Sequence, residues 1–468
     1  VSVADLVRTA KGPIRLRARW VLPIDLPPIE NGEVVVEDGR IASVGKAKSR
    51  NPDAFDFGLA AILPGFVNVH AHMEYTVLRG LLEEMPFFPW IRALTALKPY
   101  LTLEDWIASA TYGAAEMLAA GITTVADASD AGAALAALIA SGQRGIVYRE
   151  VFGIEAEPPT AGVLNVLDAR LRDMRAQVVR AGVDERLRIG ISPHAPYTVR
   201  PDLLRALAEF AARKRLPQTI HVAETLAESQ LIGAGAGPFA EMFERRKIAW
   251  QASGGSPVAY LDAHAALTPG TLAVHAVHLE PGDLAILKVR GATVAHCPKS
   301  NGKLAAGVAP LREILDAGIP VGLGTDSMVS NNAVDMFEEM RMALFQARNR
   351  AHDVGALTAR EALHLATAGG AAALGIDGDV GTLRAGKRAD LCAVRLDGAN
   401  VTPASEDNPI GAIVFGSRSS DIAMTMVDGR VVYESGRAIL LDTARTRASV
   451  VAARANLRRE ADRIIGKT

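Results

Sequence analysis

The sequence is poor in cysteine, with only Cys297 and Cys392 among 468 residues. The two form no C-x-x-C pair, so neither a disulfide framework nor a thiolate metal knuckle organises the chain. An excess of charge of either sign is also missing: 51 Lys and Arg face 52 Asp and Glu, for a net charge of -1. Such a chain has no whole-molecule field to draw in nucleic acid or an anionic membrane, and neither is expected as a partner. No apolar run reaches the roughly 18 to 20 residues that span a bilayer. Residues 1–22 carry Arg and Lys but lack an apolar segment followed by a small-residue cleavage site. No signal peptide and a cytoplasmic location are therefore expected. What is present is ordinary for a globular protein, 49% hydrophobic and 22% charged, which excludes wholesale disorder. The ten histidines are what composition does not explain.

The first sixty residues read as strands and turns, with Asp38-Gly39-Arg40 as a tight turn. From Ala61 onward short apolar runs alternate with Ala- and Leu-rich stretches of helical period. The runs cover 62–70, 122–128, 145–152, 187–192, 218–223, 272–277, 292–297 and 321–325; helices are expected over 104–120, 201–214, 311–317 and 336–348. Alternating strands and helices predict an α/β fold with a parallel sheet, and eight units predict a (β/α)8 TIM barrel over residues 64–370. After Gly370 the strand texture returns, and Val427-Asp428-Gly429-Arg430-Val431 echoes the N-terminal turn. Each terminal segment is too short to bury a core alone. Residues 1–63 and 371–441 are expected to pair into one small β-sandwich domain. Residues 442–467 predict a terminal helix, with Val450, Leu457, Ala461 and Ile464 on its apolar stripe. Arg454 falls at the edge of that stripe and Arg459 opposite it, on a solvated face.

Several histidines stand where strands should end. His70-Ala71-His72 closes the first run, and residues two apart on a strand share a face. His194 follows the fourth run, His221 lies in the fifth with Glu224 three positions on, His275 ends the sixth, and Asp326 ends the eighth. Each alone has a bland explanation as a core or turn residue. Together they put metal-competent side chains at the C-terminal ends of barrel strands, where barrel enzymes build their sites. Three His and one Asp suit a catalytic divalent ion, Zn2+ first, with Fe2+ or Mn2+ as alternatives. Such an ion makes hydroxide available at neutral pH. Glu224 is then placed to move a proton, and His275 to hydrogen-bond the hydroxide.

The pattern Leu63-Pro64-Gly65-Phe66-Val67-Asn68-Val69-His70-Ala71-His72 resembles the first-strand signature of the amidohydrolase superfamily. His221-Val222-Ala223-Glu224, Val274-His275-Ala276-Val277-His278, His296-Cys297-Pro298-Lys299-Ser300-Asn301 and Gly324-Thr325-Asp326-Ser327 narrow it. The set is similar to the branch holding methylthioadenosine/S-adenosylhomocysteine deaminases and triazine chlorohydrolases. The resemblance implies a distorted barrel with one metal on His70, His72, His221 and Asp326. It also implies Glu224 as proton shuttle, His275 as partner of the hydroxide, Asp326 as a second proton carrier, and His278 as structural. Binuclear relatives carry a bridging Lys at the end of strand four; His194 stands in that region here, which favours one metal.

The implied reaction is hydrolytic deamination of an adenosine-like nucleoside. Trp90, Arg149, His194 and Ser330 match substrate residues of the relatives. Lys98 stands where a ribose-gripping glutamate is expected, and a cation cannot accept the ribose hydroxyl protons. Lys98 or Arg149 could instead meet a carboxylate, as on the benzoate of aminodeoxyfutalosine. Phe87, Phe88 and Trp90 are expected in a loop above strand one, suited to a flat heterocycle. Alternatives are displacement of chloride or an alkylamine from a triazine, opening of a cyclic amide, and a barrel that serves only as a scaffold. His72-Met73-Glu74 spells the H-x-E of cytidine deaminases, but their P-C-x-x-C partner is missing. A homodimer or higher homo-oligomer is the default from symmetry.

Overall fold

A computed structural model describes residues 2–9, 12–47 and 54–465. Residues 1, 10–11, 48–53 and 466–468 lie outside it, and with them the last positions of the helix expected over 442–467. Eight strands carry the centre of the molecule: Phe66–His72 (β1), Ile122–Ser129 (β2), Arg144–Val151 (β3), Leu187–Pro193 (β4), Thr219–Val222 (β5), Leu272–His275 (β6), Thr293–His296 (β7) and Val321–Leu323 (β8). All but β4 are buried at every residue, as strands covered on both faces must be.

They form two parallel sheets. One runs β5-β6-β7-β8; the other runs β1-β2-β3-β4, with the two-residue strand Asp326–Ser327 beside β1. The sheets touch at two seams. Ile191 of β4 bridges to Gln218 just before β5. Asp326 and Ser327, which follow β8, pair with Ala71 and His72 of β1. Both seams are short, so the end of β8 and the end of β1 meet through the residues that carry the chemistry.

The first expected strand needs correction. The apolar run is continuous, but Ala60–Pro64 belongs to a different sheet and β1 starts only at Phe66. Gly65 makes the break. A Cβ there would lie 2.1 Å from the Thr123 side chain, so only glycine lets the chain cross so close to β2. Expected helices appear at Leu103–Ala119, Pro201–Lys214, Leu311–Asp316 and Met336–Ala351.

The terminal segments do join. Among the described residues nine strands from both ends form one sheet, and Ala60–Pro64 pairs antiparallel with Leu391–Arg395. Leu16, Val34, Ile62, Leu391, Met424 and Val431 share one apolar cluster there. The repeated Asp-Gly-Arg turns are in contact. Asp38, Gly39, Asp428 and Gly429 all have φ between 47° and 74°, the left-handed pair that a tight hairpin demands. A Cβ on Gly429 would lie 2.9 Å from Gly39 Cα.

Arg144, at the start of β3, clamps this sheet to the central strands. Its Nε donates to Asp390 Oδ2 at 2.7 Å and its Nη2 to Asp390 Oδ1 at 3.2 Å and to Asp428. The terminal helix, Thr443–Ile465, buries Val450, Ala453, Leu457 and Ala461. Arg454 is not simply solvated: it donates to the carbonyls of Val77 and Arg79 at 3.1 and 2.7 Å, tying the helix to the segment after β1. Among the described residues no helix is long and apolar enough to cross a membrane.

Arg144→Ala would strand two carboxylates in a desolvated place. It should cost about 3–5 kcal/mol, read as a lowered urea midpoint. An unchanged midpoint would show that the clamp contributes no stability.

Candidate active site

The strand ends bring His70, His72, His221, His275, Glu224 and Asp326 together, all buried. His70 Nε2 lies 3.3 Å from His221 Nε2, and the Nε2 atoms of His70 and His72 each lie 3.5 Å from Asp326 Oδ1. The tautomers follow from the other ring nitrogens. His72 donates from Nδ1 to the Ala128 carbonyl and His221 from Nδ1 to the His194 carbonyl, both at 2.8 Å. Their Nε2 atoms therefore present lone pairs to one another and to a carboxylate. Burial lowers His70, His72 and His221 from the ordinary histidine value, His72 to about 3, which favours neutral rings. Neutral donors converging without protons between them suit a cation, so the residues present fit a divalent ion.

Asp326 is held from behind. Its Oδ2 accepts from the Ser300 hydroxyl and, at 2.9 Å, from the Ser330 hydroxyl, which leaves Oδ1 facing the histidines. His275 donates from Nδ1 to Asn301 Oδ1 at 2.9 Å. Its Nε2 has no hydrogen-bond partner in the protein and lies 3.6 Å from Glu224 Oε1. Burial raises the Glu224 carboxyl above its usual range, which suits a group that must take up and release a proton. Ala223, His275 and Asp326 have φ of 53°, 75° and 55°. Left-handed backbone at non-glycine residues costs of order 1–3 kcal/mol each and clusters at functional sites. His278 gives its Nε2 proton to the Ala306 carbonyl and is structural.

Above this cluster opens a cavity of about 660 Å³, lined by His72, His194, His221, Glu224, His275 and Asp326 at its floor. Its walls include Phe87, Trp90, Phe152, Tyr197 and Phe239. Phe87, Phe88 and Trp90 lie on a helix, Phe87–Leu97 (α1), rather than in the expected loop. Trp90, Ala93, Leu94 and Leu97 are its buried positions, the i, i+3, i+4, i+7 stripe of an amphipathic helix. Phe88 packs on Phe239 at 5.5 Å. Lys98, just past α1, reaches the cavity and pairs with Asp130 at 2.9 Å. Burial alone would lower its ammonium, but Tyr75, Asp130 and Glu150 hold it above the ordinary lysine value.

Two expected substrate residues do not reach the cavity wall. Arg149 turns its Nη1 to the backbone carbonyls of Ser129 and Asp130, because the strand end of β3 points it behind Asp130. Ser330 spends its hydroxyl on Asp326 and on Ser327. Neither is among the cavity-lining residues.

The sequence matches the model of the amidohydrolase family over residues 61–432. The chain belongs to the amidohydrolase family. It is 36% identical over 439 residues to a 5-methylthioadenosine/S-adenosylhomocysteine deaminase of Pelotomaculum thermopropionicum, covering 92% of this chain and 95% of the relative. Its fold is similar to that of an adenosine deaminase from Xanthomonas campestris with bound zinc, with a TM-score of 0.83 at 27% identity over 95% of this chain and 98% of that one. An atrazine chlorohydrolase from Arthrobacter aurescens complexed with zinc shares the fold, with a TM-score of 0.80 at 24% identity, covering 94% of this chain and all of that one.

Reading the sequence alone missed the residues that hold this amidohydrolase site in shape. Glu228, on the helix Leu226–Ala234, accepts from the backbone N–H groups of Ala223 and Glu224 at 2.9 Å each, fixing the strained turn that aims Glu224. Glu74 caps the 130–133 loop, accepting from the N–H groups of Asp130, Ala131 and Ala133, so the H-x-E glutamate is architectural. Glu150 lies at the end of β3 and lines the cavity. Burial, reinforced by Asp130, pushes its carboxyl up to about 8. Only a charged residue in an otherwise apolar run signalled it. Ser300→Ala removes one of two hydroxyls aligning Asp326 and should weaken metal affinity about 10- to 100-fold, measured by chelator competition. Unchanged affinity would show that Ser330 suffices.

Proposed function

We propose that this hydrolase, which acts on carbon–nitrogen bonds, is a metal-dependent deaminase of an aminated heterocycle. The substrate is an adenosine-like nucleoside and the second product is ammonia. One observation carries the reading: neutral His70, His72 and His221 converge with Asp326 beside the Glu224–His275 pair, on the floor of an aromatic cavity. The deaminase names of the relatives support it.

In this reading the two parallel sheets close into one distorted (β/α)8 barrel over residues 64–370. Residues 1–63 and 371–441 contribute to a composite β-sandwich, supported by the shared apolar cluster, followed by the C-terminal helix Thr443–Ile465. The enzyme is cytoplasmic, acts on small molecules without nucleic acid or membrane, and assembles as a homodimer or higher homo-oligomer.

His70, His72, His221 and Asp326 would hold one divalent ion, Zn2+ ahead of Fe2+ or Mn2+. Such an ion supplies Lewis-acid chemistry, activating water and polarising the reacting centre. Glu224 takes the proton from the attacking water and returns it to a ring nitrogen. His275 Nε2, free of any protein partner, contacts the attacking oxygen. Asp326, aligned by Ser300 and Ser330, carries a proton toward the departing ammonia. Trp90, Phe87 and Phe152 flank the flat ring, and His194 meets its edge.

Lys98 faces the distal part of the substrate. Arg149 acts through the backbone at Asp130, and Ser330 through Asp326. Because Asp130 already pairs with Lys98, methylthioadenosine, which has no distal carboxylate, fits better than aminodeoxyfutalosine.

Ammonia release by zinc-loaded enzyme across a panel of amino-purine nucleosides tests the reaction. Turnover of triazines or cyclic amides without ammonia release would overturn it. Glu224→Gln should keep its metal and lose about 10^2- to 10^4-fold in kcat; near wild-type turnover would remove Glu224 from the mechanism. Asp326→Ala should lower both metal content and rate. Intact metal and rate together would refute its assignment. Less than about half an equivalent of metal in zinc-grown wild-type protein would revive the scaffold alternative.

A further inference from the structure

Three buried polar atoms at the cavity lack any protein partner: His275 Nε2, Trp90 Nε1 and Glu150 Oε1. His275 already has a place in the reaction. Glu150 does not, and it is the most demanding of the three. Its residue is 4% exposed, and leaving a buried acid without a hydrogen bond costs about 1–3 kcal/mol, more if it is charged. Lys98, which lines the same cavity, is already paired with Asp130.

The surroundings of Glu150 place it beside the reacting centre. One carboxylate oxygen lies within 4.8 Å of ring nitrogens of His72 and His221. Oε1 is 4.0 Å from His194 Nε2, too far for a hydrogen bond. The Thr198 hydroxyl donates to the Ala195 carbonyl, so His194 Nδ1 donates to Thr198 Oγ1 at 2.9 Å. His194 Nε2 is therefore an acceptor. Phe152 lies against the His194 ring with centroids 4.6 Å apart. An acid and an imidazole thus stand side by side on one wall, both turned to the cavity and neither satisfied by the other. A flat heterocycle with its reacting carbon over the His–Asp cluster must bring the neighbouring edge of its ring to this wall. A neutral carboxyl offers that edge one O–H donor and one acceptor.

We propose that Glu150 is a substrate-contacting, specificity-determining residue, donating a hydrogen bond to a ring nitrogen of the heterocycle on the His194 side of the cavity. The proposal rests on the deaminase reading above. It makes the enzyme selective for rings carrying an acceptor nitrogen at that edge. A site built around a buried polar group rejects a ligand lacking the matching atom far more strongly than an apolar pocket rejects a change of size.

The test pairs a residue change with a substrate-atom change. Zinc-loaded wild type, Glu150→Leu and Glu150→Gln are assayed for ammonia release from 5′-methylthioadenosine and from its 3-deaza and 7-deaza analogues, with bound zinc measured in each protein. On the parent compound Glu150→Leu should lose about 10- to 100-fold in kcat/KM. Gln keeps a donor and an acceptor and should recover at least about tenfold of that loss. For one of the two deaza analogues the wild type should itself lose about as much, and Glu150→Leu should add less than about threefold to that loss. Equal losses on all three substrates, no loss on the parent, or Gln as poor as Leu would overturn the contact. A fall in bound zinc in both variants would also overturn it, assigning the carboxylate to the metal instead. Wild-type inactivity on the parent would overturn the deaminase reading and this inference together; wild-type turnover with uncoupled losses would overturn this inference alone.

Discussion

The structure depends on a confrontation of lone pairs. Three imidazoles and a carboxylate are driven together out of water; His72 and His221 turn their Nδ1 protons away to backbone carbonyls, and Asp326 accepts from the Ser300 and Ser330 hydroxyls. Without a cation this is a cost, since buried acceptors face acceptors. With one it becomes a strong site, because each ligand is already in the right tautomer and orientation. Much of the surrounding fold serves to hold that arrangement. The left-handed backbone at Ala223, His275 and Asp326 is strain that the packed strands must absorb. Glu228, Asn301, Ser300 and Ser330 are the hydrogen-bond partners that keep it from relaxing.

The division of labour among the acids follows from what stands behind each. Asp326 has two hydroxyls on one oxygen and imidazoles near the other. Glu224 has no ion-pair partner other than His275 and sits where burial favours its protonated form. Glu150 is buried near His72 and His221 with Oε1 unsatisfied. Asp130 is neutralised by Lys98. These four of the carboxylates that line the cavity therefore differ in reach and in protonation tendency, because each has a different neighbour.

The ordered motifs were legible because their chemistry is periodic. His70 and His72 share a strand face, and His221, His275 and Asp326 fall where apolar runs stop. Seven of the eight expected runs became strands for the same reason. The failures have physical causes. The run from Ala60 to His72 hides a change of sheet, since a single glycine under steric pressure from Thr123 carries no hydropathy signal. The helix Phe87–Leu97 stands where a loop is expected, since Pro86, Phe87, Phe88 and Pro89 at its start obscure its stripe of Trp90, Ala93, Leu94 and Leu97. Arg149 and Ser330 were placed on the substrate, but side-chain direction at a strand end or in a one-turn helix is decided by three-dimensional neighbours. Glu150 has Arg149 beside it and Glu228 has Ser229 and Gln230, and nothing in local spacing marks either acid as buried.

The terminal sheet has a temporal consequence. Strand Ala60–Pro64 has Ile14–Val21 on one edge but must wait for Leu391–Arg395 on the other, and the turn at Gly39 waits for the turn at Gly429 that packs on it. At about 5–20 residues per second of synthesis, the early strands wait on the order of 15–70 s before those partners exist. During that interval the N-terminal strands must remain open at one edge while the central strands assemble. The closing event of folding is then the docking of the last strands beside the first, with Arg144 capturing Asp390 and Asp428. Sealing of this sheet is thus a late step, and much of the chain between its two halves is made before the strands that seal it.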